Sequence, residues 1–252
     1  FPHAVQVACF DTAFHRLHPW VNDTFALPRR YYDKGVRRYG FHGLSYEAIL
    51  HALPRVAGSI PERLIVAHLG NGASMAAIRG GRCVASTMGF STLDGLMMGT
   101  RPGGIDPGLL LHLLHGGMSV ARLEKLLYHE SGLQGVSGLT SDMKTLLDSA
   151  DDKAKLAVAM YCYRATRELG SLAASLGGVD ALVFTGGVGE NAAPVRARIC
   201  EAAAWLGLDF DAAANAKGGP LISKAGSRLA AWIVFTDEEL TIARHTRRVL
   251  AA

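Results

Sequence analysis

Between Arg63 and Thr87 the chain reads RLIVAHLGNGASMAAIRGGRCVAST, three short apolar runs parted by Gly70-Asn71-Gly72 and by Gly80-Gly81. Strand-forming runs broken by Asn-Gly and Gly-Gly predict a meander of two hairpins. Two later runs, ALVFTGG (181–187) and LAAWIVF (229–235), show no polar alternation, as in strands covered on both faces of a parallel sheet. From Asp152 to Leu176 the period is helical, with Leu156, Met160, Tyr163, Arg167 and Gly170 marking a mostly apolar face and Gly177-Gly178 ending it. Shorter helices are expected at 108–116 and 119–129, and another through Val195, Ile199 and Leu206. The stretch TDEELTIARHTRRVL (236–250) closes as a helix, acidic at its start and basic at its end, which suits the macrodipole. Val5–Phe10 reads as a strand, and the glycine-rich stretches 88–107 and 131–142 read as long loops.

The resulting order, β-β-β-α-β-α-β-α, is that of an α/β domain of the ribonuclease-H-like kind, a mixed sheet with helices on both faces. Composition agrees: 49% hydrophobic and 19% charged residues among 252 support a real core. Net charge is +4, and the pairs Arg29-Arg30 and Arg37-Arg38 are interrupted by Tyr31, Tyr32 and Asp33, so nucleic acid is not implied. No apolar run reaches the ~18 residues of a membrane span. Cys9, Cys83, Cys162 and Cys200 are dispersed without a Cys-x-x-Cys, which argues against a disulfide framework or zinc site and points to a reducing cytoplasm.

Neither Gly-x-x-x-x-Gly-Lys-Ser/Thr nor Gly-x-Gly-x-x-Gly is present. Two other glycine turns could take phosphate. Gly70-Asn71-Gly72 exposes backbone N–H groups without bulky side chains. Gly186-Gly187-Val188-Gly189 joins a buried strand to a helix start, where amides and dipole favour an anion. On turn chemistry alone, a plain hairpin turn and a plain strand-to-helix turn are the favoured readings of the two loops. Unusual polar residues also gather, in four of seven segments beside glycines, in FDTAFH (10–15), RRYGFHG (37–43), HLGNGAS (68–74), STMGFSTLDGLMMGTR (86–101), the Ser-Asp pair at 141–142, FTGGVGEN (184–191) and TDEELTIAR (236–244).

These seven segments, in order and spacing, resemble the acetate kinase family with its propionate and butyrate kinase relatives, from about residue 5 to 246. The resemblance implies reversible ATP-dependent phosphorylation of acetate, or a short homologue, to acetyl phosphate and ADP, by direct in-line transfer with Mg²⁺. Such transfer depends on positioning and charge neutralisation. It implies Asp11, His42 and Arg101 as catalytic residues and Glu238 as the Mg²⁺ ligand. Nucleotide contacts would come from His68, Gly70, Asn71, Gly72, Asp142, Met143, Lys144, Gly187, Val188, Gly189, Glu190 and Asn191. Phe41 and Thr92 would line the carboxylate pocket. A homodimer through this domain is implied as well.

Singly, each residue has a plainer role open to it: Asp11 as a turn cap, His42 and His68 as bonded structural histidines, Arg101 in an ion pair, and Glu238 as a helix-start acid. The chain also departs from the family pattern. Tyr46 stands where a second His is usual, and Tyr donates a hydrogen bond but carries no charge near neutrality. Thr92 replaces a Pro, PGGIDPG follows Arg101 where Ser-Gly-Asp is common, and Lys144 replaces an Arg, keeping charge without the planar stacking surface. No Asn-Cys-Gly-Ser-Ser turn is present. The expected division is therefore 1–11 as the last strand of a truncated first domain, 12–236 as the nucleotide-binding second domain, and 237–252 as a helix packing on the missing one. Such a chain would bind nucleotide weakly and phosphorylate little by itself. A propionate or butyrate kinase, or a non-catalytic actin-like nucleotide-binding or dimerisation module, are the alternatives.

Overall fold

The computed structural model describes residues 3–251; Phe1, Pro2 and Ala252, the outermost residues of the two flanking segments, lie outside them. A 3-10 turn at Asp11–His15 and single turns α1 (Trp20–Asp23) and α2 (Arg30–Asp33) lead to helix α3 (Gly43–Ala57). The meander follows as β1 (Arg63–Leu69), β2 (Ala73–Arg79) and β3 (Arg82–Ser86). Then come α4 (Pro107–His115), α5 (Val120–His129), α6 (Gly132–Ser137), α7 (Met143–Asp148) and the long α8 (Asp152–Leu176). β4 (Ala181–Thr185), α9 (Gly186–Asn191), α10 (Ala193–Ala202), α11 (Ala212–Ala216), β5 (Ala230–Ile233) and α12 (Glu238–Leu250) complete the chain.

The strands form one sheet in the order β3-β2-β1-β4-β5. The meander is antiparallel, while β4 pairs parallel to β1 and β5 parallel to β4. Because side chains alternate across a strand, β1 feeds two cores. Ile65, Ala67 and Leu69 face α8 and α10, whereas Leu64 and Val66 face Tyr46, Ile49 and Leu53 of α3. Helices thus cover both faces, as the apolar runs of β4 and β5 require. The C-terminal helix α12 packs along α3, where His245 Nε2 lies 2.8 Å from Glu47 Oε2. No helix among the described residues is long and apolar enough to cross a membrane.

Several sequence expectations need correcting. Residues 5–10 join no ladder, and Val5 and Phe10 are exposed. The expected loop 131–142 contains α6, and the helix through Val195 and Ile199 ends at Ala202 before a 3-10 turn holds Leu206. Helix α8 has the expected bounds but turns the other way: Leu156 and Tyr163 are 65% and 64% exposed. Its buried face is built on Ala154, Ala157, Val158, Tyr161, Ala165, Leu169 and Ala173. Small side chains let the helix lie close to the sheet, and bulky ones at 156, 160 and 163 are left outside. Helix α3 was not anticipated at all.

Candidate active site

The parallel pairing of β1, β4 and β5 brings the turns after these strands to one end of the sheet, the usual place for a ligand in such a fold. Three of the anticipated polar residues meet there through α3. His42 precedes the helix with φ 58°, the one described non-glycine residue in the left-handed region. That conformation costs about 1–2 kcal/mol and withdraws the His42 side chain from capping. Asp11 takes over part of the task, since its Oδ1 accepts from Leu44 N at 3.2 Å. Gly43 permits this closeness, because a Cβ there would stand 1.9 Å from the Asp11 carbonyl oxygen.

His42 and His68 stack, with centroids 4.2 Å apart and planes at 17°. Burial first, and Arg101 second, push His42 down to about 4; burial and His42 push His68 down to about 3. Both rings are therefore neutral near pH 7. His42 Nδ1 lies 2.9 Å from Ser74 Oγ, which also meets the buried Tyr46 hydroxyl. Among the described residues Ser74 is the one partner of the Tyr46 hydroxyl, and His42 Nδ1 is the one acceptor left for the Ser74 proton. Full satisfaction therefore has Tyr46 donate to Ser74 and Ser74 donate to His42 Nδ1. Proton accounting thus leaves N–H on His42 Nε2. That nitrogen and Arg101 Nη2 converge over Gly72, where a Cβ would come within 3.2 and 3.0 Å of them. Arg101 is aimed by a 2.9 Å bond from Nη1 to the Thr92 carbonyl, and burial lowers its pKa without removing its charge. The Thr92 backbone thus holds Arg101, and Phe41 packs against the sheet core. On the other ring, Ser45 Oγ lies 2.8 Å from His68 Nδ1 and 2.9 Å from Thr236 Oγ1.

Beside this polar end opens a cavity of about 660 Å³. Gly70, Asn71, Asp142, Met143, Lys144, Gly187, Val188 and Asn191, named above as nucleotide contacts, all line it, together with Leu133, Ser141, Leu147 and Asp148, which were not named. The turn Gly70–Gly72 links the cavity to the His42–Arg101 pair. Asp142 caps α7, accepting from Thr145 N at 2.8 Å. Gly189 and Glu190 lie behind the lining. Gly189 packs on β1, and Glu190 Oε1 accepts from Thr185 Oγ1, Gly186 N and Thr236 N at 3.0–3.1 Å. Glu190 thus ties the end of β4 to the segment after β5. Arg196 was missed by the sequence reading. It is buried, and its guanidinium donates to the carbonyls of Gly189, Glu190 and Asn215 and to Asn215 Oδ1.

Glu238, half-buried at the start of α12, has its carboxyl raised by burial and then by the charge of Asp11. Neither acid belongs to an ion pair among the described residues. Two like charges with hard oxygen donors and no cationic partner suit a Mg²⁺ ion.

Sheet order, two-sided helical cover and a cavity at the strand ends define an α/β domain of the actin and sugar-kinase fold. The Acetokinase family model matches residues 1–244. An acetate kinase of Methylocella silvestris is 55% identical over 99% of this chain and 62% of its own length; one of Rickettsia felis is 47% identical over 97% and 64%. The crystal structure of Porphyromonas gingivalis acetate kinase superposes with a TM-score of 0.91 at 41% identity, covering 96% of this chain and 63% of that one. A propionate kinase of Francisella tularensis also gives 0.91, at 36% identity, covering 96% and 64%. The chain belongs to the acetokinase family, and it spans a little over three-fifths of the length of these relatives.

Proposed function

We propose that this chain holds the nucleotide and the transferring phosphoryl group of an acetate kinase, in which ATP and acetate give ADP and acetyl phosphate reversibly. The observation that carries the reading is the convergence of His42 Nε2 and Arg101 over Gly72, on the same turn whose Gly70 and Asn71 line the 660 Å³ cavity. The nucleotide base lies between Met143 and Val188, with Lys144 beside it. The terminal phosphate lies against the Gly70–Gly72 amides. There Arg101 neutralises its equatorial oxygens and neutral His42 donates one hydrogen bond. His68 braces the His42 ring from behind. Asp11 and Glu238 would hold Mg²⁺, which neutralises phosphate charge when bound. Acetate is favoured over longer acids by the 55% identity to an acetate kinase. The 0.91 superposition on a propionate kinase supports propionate as the second reading. The exposed face of Leu156, Met160 and Tyr163 supports dimerisation of this domain.

Gly187 gives a clean test. It lines the cavity, its φ lies outside the left-handed region, and a Cβ there meets nothing within 4 Å. Gly187→Val should fold and melt like the parent but place a branched side chain where nucleotide sits. Titration calorimetry with ADP and Mg²⁺ should show binding by the parent that weakens at least about tenfold in the variant. No heat from the parent at millimolar nucleotide would sink the reading. Hydroxamate trapping of the acyl phosphate, with acetate against propionate, reads the substrate.

A further inference from the structure

A second cluster of chemistry lies beneath the loop that carries His42, and phosphoryl transfer makes no use of it. His15 Nδ1 is 3.2 Å from Cys83 Sγ, and His18 Nε2 is 3.1 Å from the same sulfur. All three ligand atoms lie within 4.8 Å of one another, and all three residues are buried. We propose that His15, His18 and Cys83 form a binding site for a borderline-soft divalent cation of the zinc class.

The donor set separates this site from the acidic pair. Two imidazoles and a thiolate suit zinc or its first-row neighbours, whereas Mg²⁺ prefers oxygen. Bond lengths of ~2.0 Å to nitrogen and ~2.3 Å to sulfur place neighbouring ligand atoms roughly 3.3–3.8 Å apart in a tetrahedron. The two nitrogen–sulfur distances, 3.2 and 3.1 Å, fall a few tenths of an ångström short of that spacing, so the three side chains need only spread slightly to admit the ion. The His15 tautomer is also the one a ligand needs. Its Nε2 lies 2.9 Å from the Phe41 carbonyl, which only accepts, so Nε2 carries the proton and Nδ1 offers its lone pair towards the sulfur. A backbone carbonyl on the far nitrogen is the usual outer partner of a metal-bound His. The ring is held in place, since a Cβ on Gly40 would stand 2.5 Å from His15 Cγ. Among the described residues His18 Nδ1 has no partner, so its Nε2 contact with the sulfur is the ring's one hydrogen bond there. Cys83 sits on β3, at the edge of the sheet, and Arg16 and Leu17 above it are exposed.

Binding replaces the Cys83 S–H bond with a metal–sulfur bond and releases one proton to solvent, with no change of oxidation state. Through His15 the ion would fix the Phe41 carbonyl, and with it the left-handed turn that aims His42. The site is therefore structural.

Cobalt(II) is the probe. The purified chain, stripped with chelator, is titrated with Co²⁺ and followed by absorption. A near-ultraviolet thiolate charge-transfer band with intense visible bands, displaced by Zn²⁺, is expected. Cys83→Ser should abolish the thiolate band, and His18→Gln should weaken binding at least about tenfold. Cys9→Ser, which alters the half-exposed thiol, should leave the band intact. A circular dichroism melt shows that each variant is folded, and Zn²⁺ should raise the melting temperature of the parent but not of Cys83→Ser. The proposal is overturned by weak octahedral bands alone, by a thiolate band that follows Cys9, or by a Zn²⁺ shift that survives the loss of Cys83.

Discussion

Ser74 occupies an unremarked position in a buried strand, yet its hydroxyl settles which nitrogen of His42 carries a proton. Tyr46 donates to Ser74, Ser74 donates to Nδ1, and Nε2–H faces the ground above Gly72. Substituting Ser74→Ala removes that instruction while His42 and Arg101 stay in place. Nitrogen-15 spectra of the parent should show a single Nε2–H tautomer for His42. Ser74→Ala should give a mixture, and Ser74→Thr should restore the single form. An unchanged ring spectrum in Ser74→Ala would show that something else holds the tautomer. The replacement of a family His by Tyr46 thus leaves a charge-free support for His42 rather than a gap. The sequence made His42, Arg101 and the glycine turns visible because polar residues beside glycine are unusual, and Asp11 because an acid stands just past an apolar run. Ser45, Ser74, Thr236 and Arg196 stayed hidden, since ordinary residue types become specific only through partners far away in the chain.

At the scale of elements, α9 depends on Arg196 for its far end. A buried guanidinium with no carboxylate partner among the described residues serves as the donor for carbonyls that the six-residue helix leaves open. Arg196→Met should cost about 2–4 kcal/mol in urea unfolding, the toll of several orphaned carbonyls. It should also loosen the Gly187–Asn191 wall of the cavity and weaken ADP binding. Arg196→Lys should recover only part, because a single ammonium cannot span the same acceptors. Full stability in the Met variant would show that water serves those carbonyls as well. Elements were legible where glycine punctuates β-formers, as in the β1–β3 meander, and where caps mark a helix, as at Asp151 and Gly177 of α8. Helix α3 escaped because its start lacks an Asx or Ser cap and its last turn contains Pro54; the cap comes from Asp11, 33 residues from Leu44. The facing of α8 was misread because bulk was taken as the sign of burial, and alanines fill the contact with the sheet instead.

At the scale of the whole molecule, neutral histidines make stability depend on pH: burial pushes His15 and His18 down as well as His42 and His68. His42 at about 4 and His68 at about 3 lie below their value of 6.5 in an unfolded chain. Between those values the unfolded chain binds more protons, so stability is fully present above about pH 6.5 and is lost as pH falls through about 4. At ~1.4 kcal/mol per unit, the His42 shift alone corresponds to about 3 kcal/mol. Urea midpoints should therefore drop between pH 7 and pH 4.5, and less steeply in His42→Gln. Parallel slopes in the two proteins would show that His42 titrates normally. The pairing of β1 with β4 has a further consequence, for inheritance rather than chemistry. His68 sits opposite Thr185, on the α3 side of the pleat with Leu64 and Val66. Inserting one residue into β1 would send His68 to the α8 side and apolar neighbours to the site, whereas inserting two would restore the facing. Length variation in this strand is thus governed by parity, while the exposed turns before it are free of that rule.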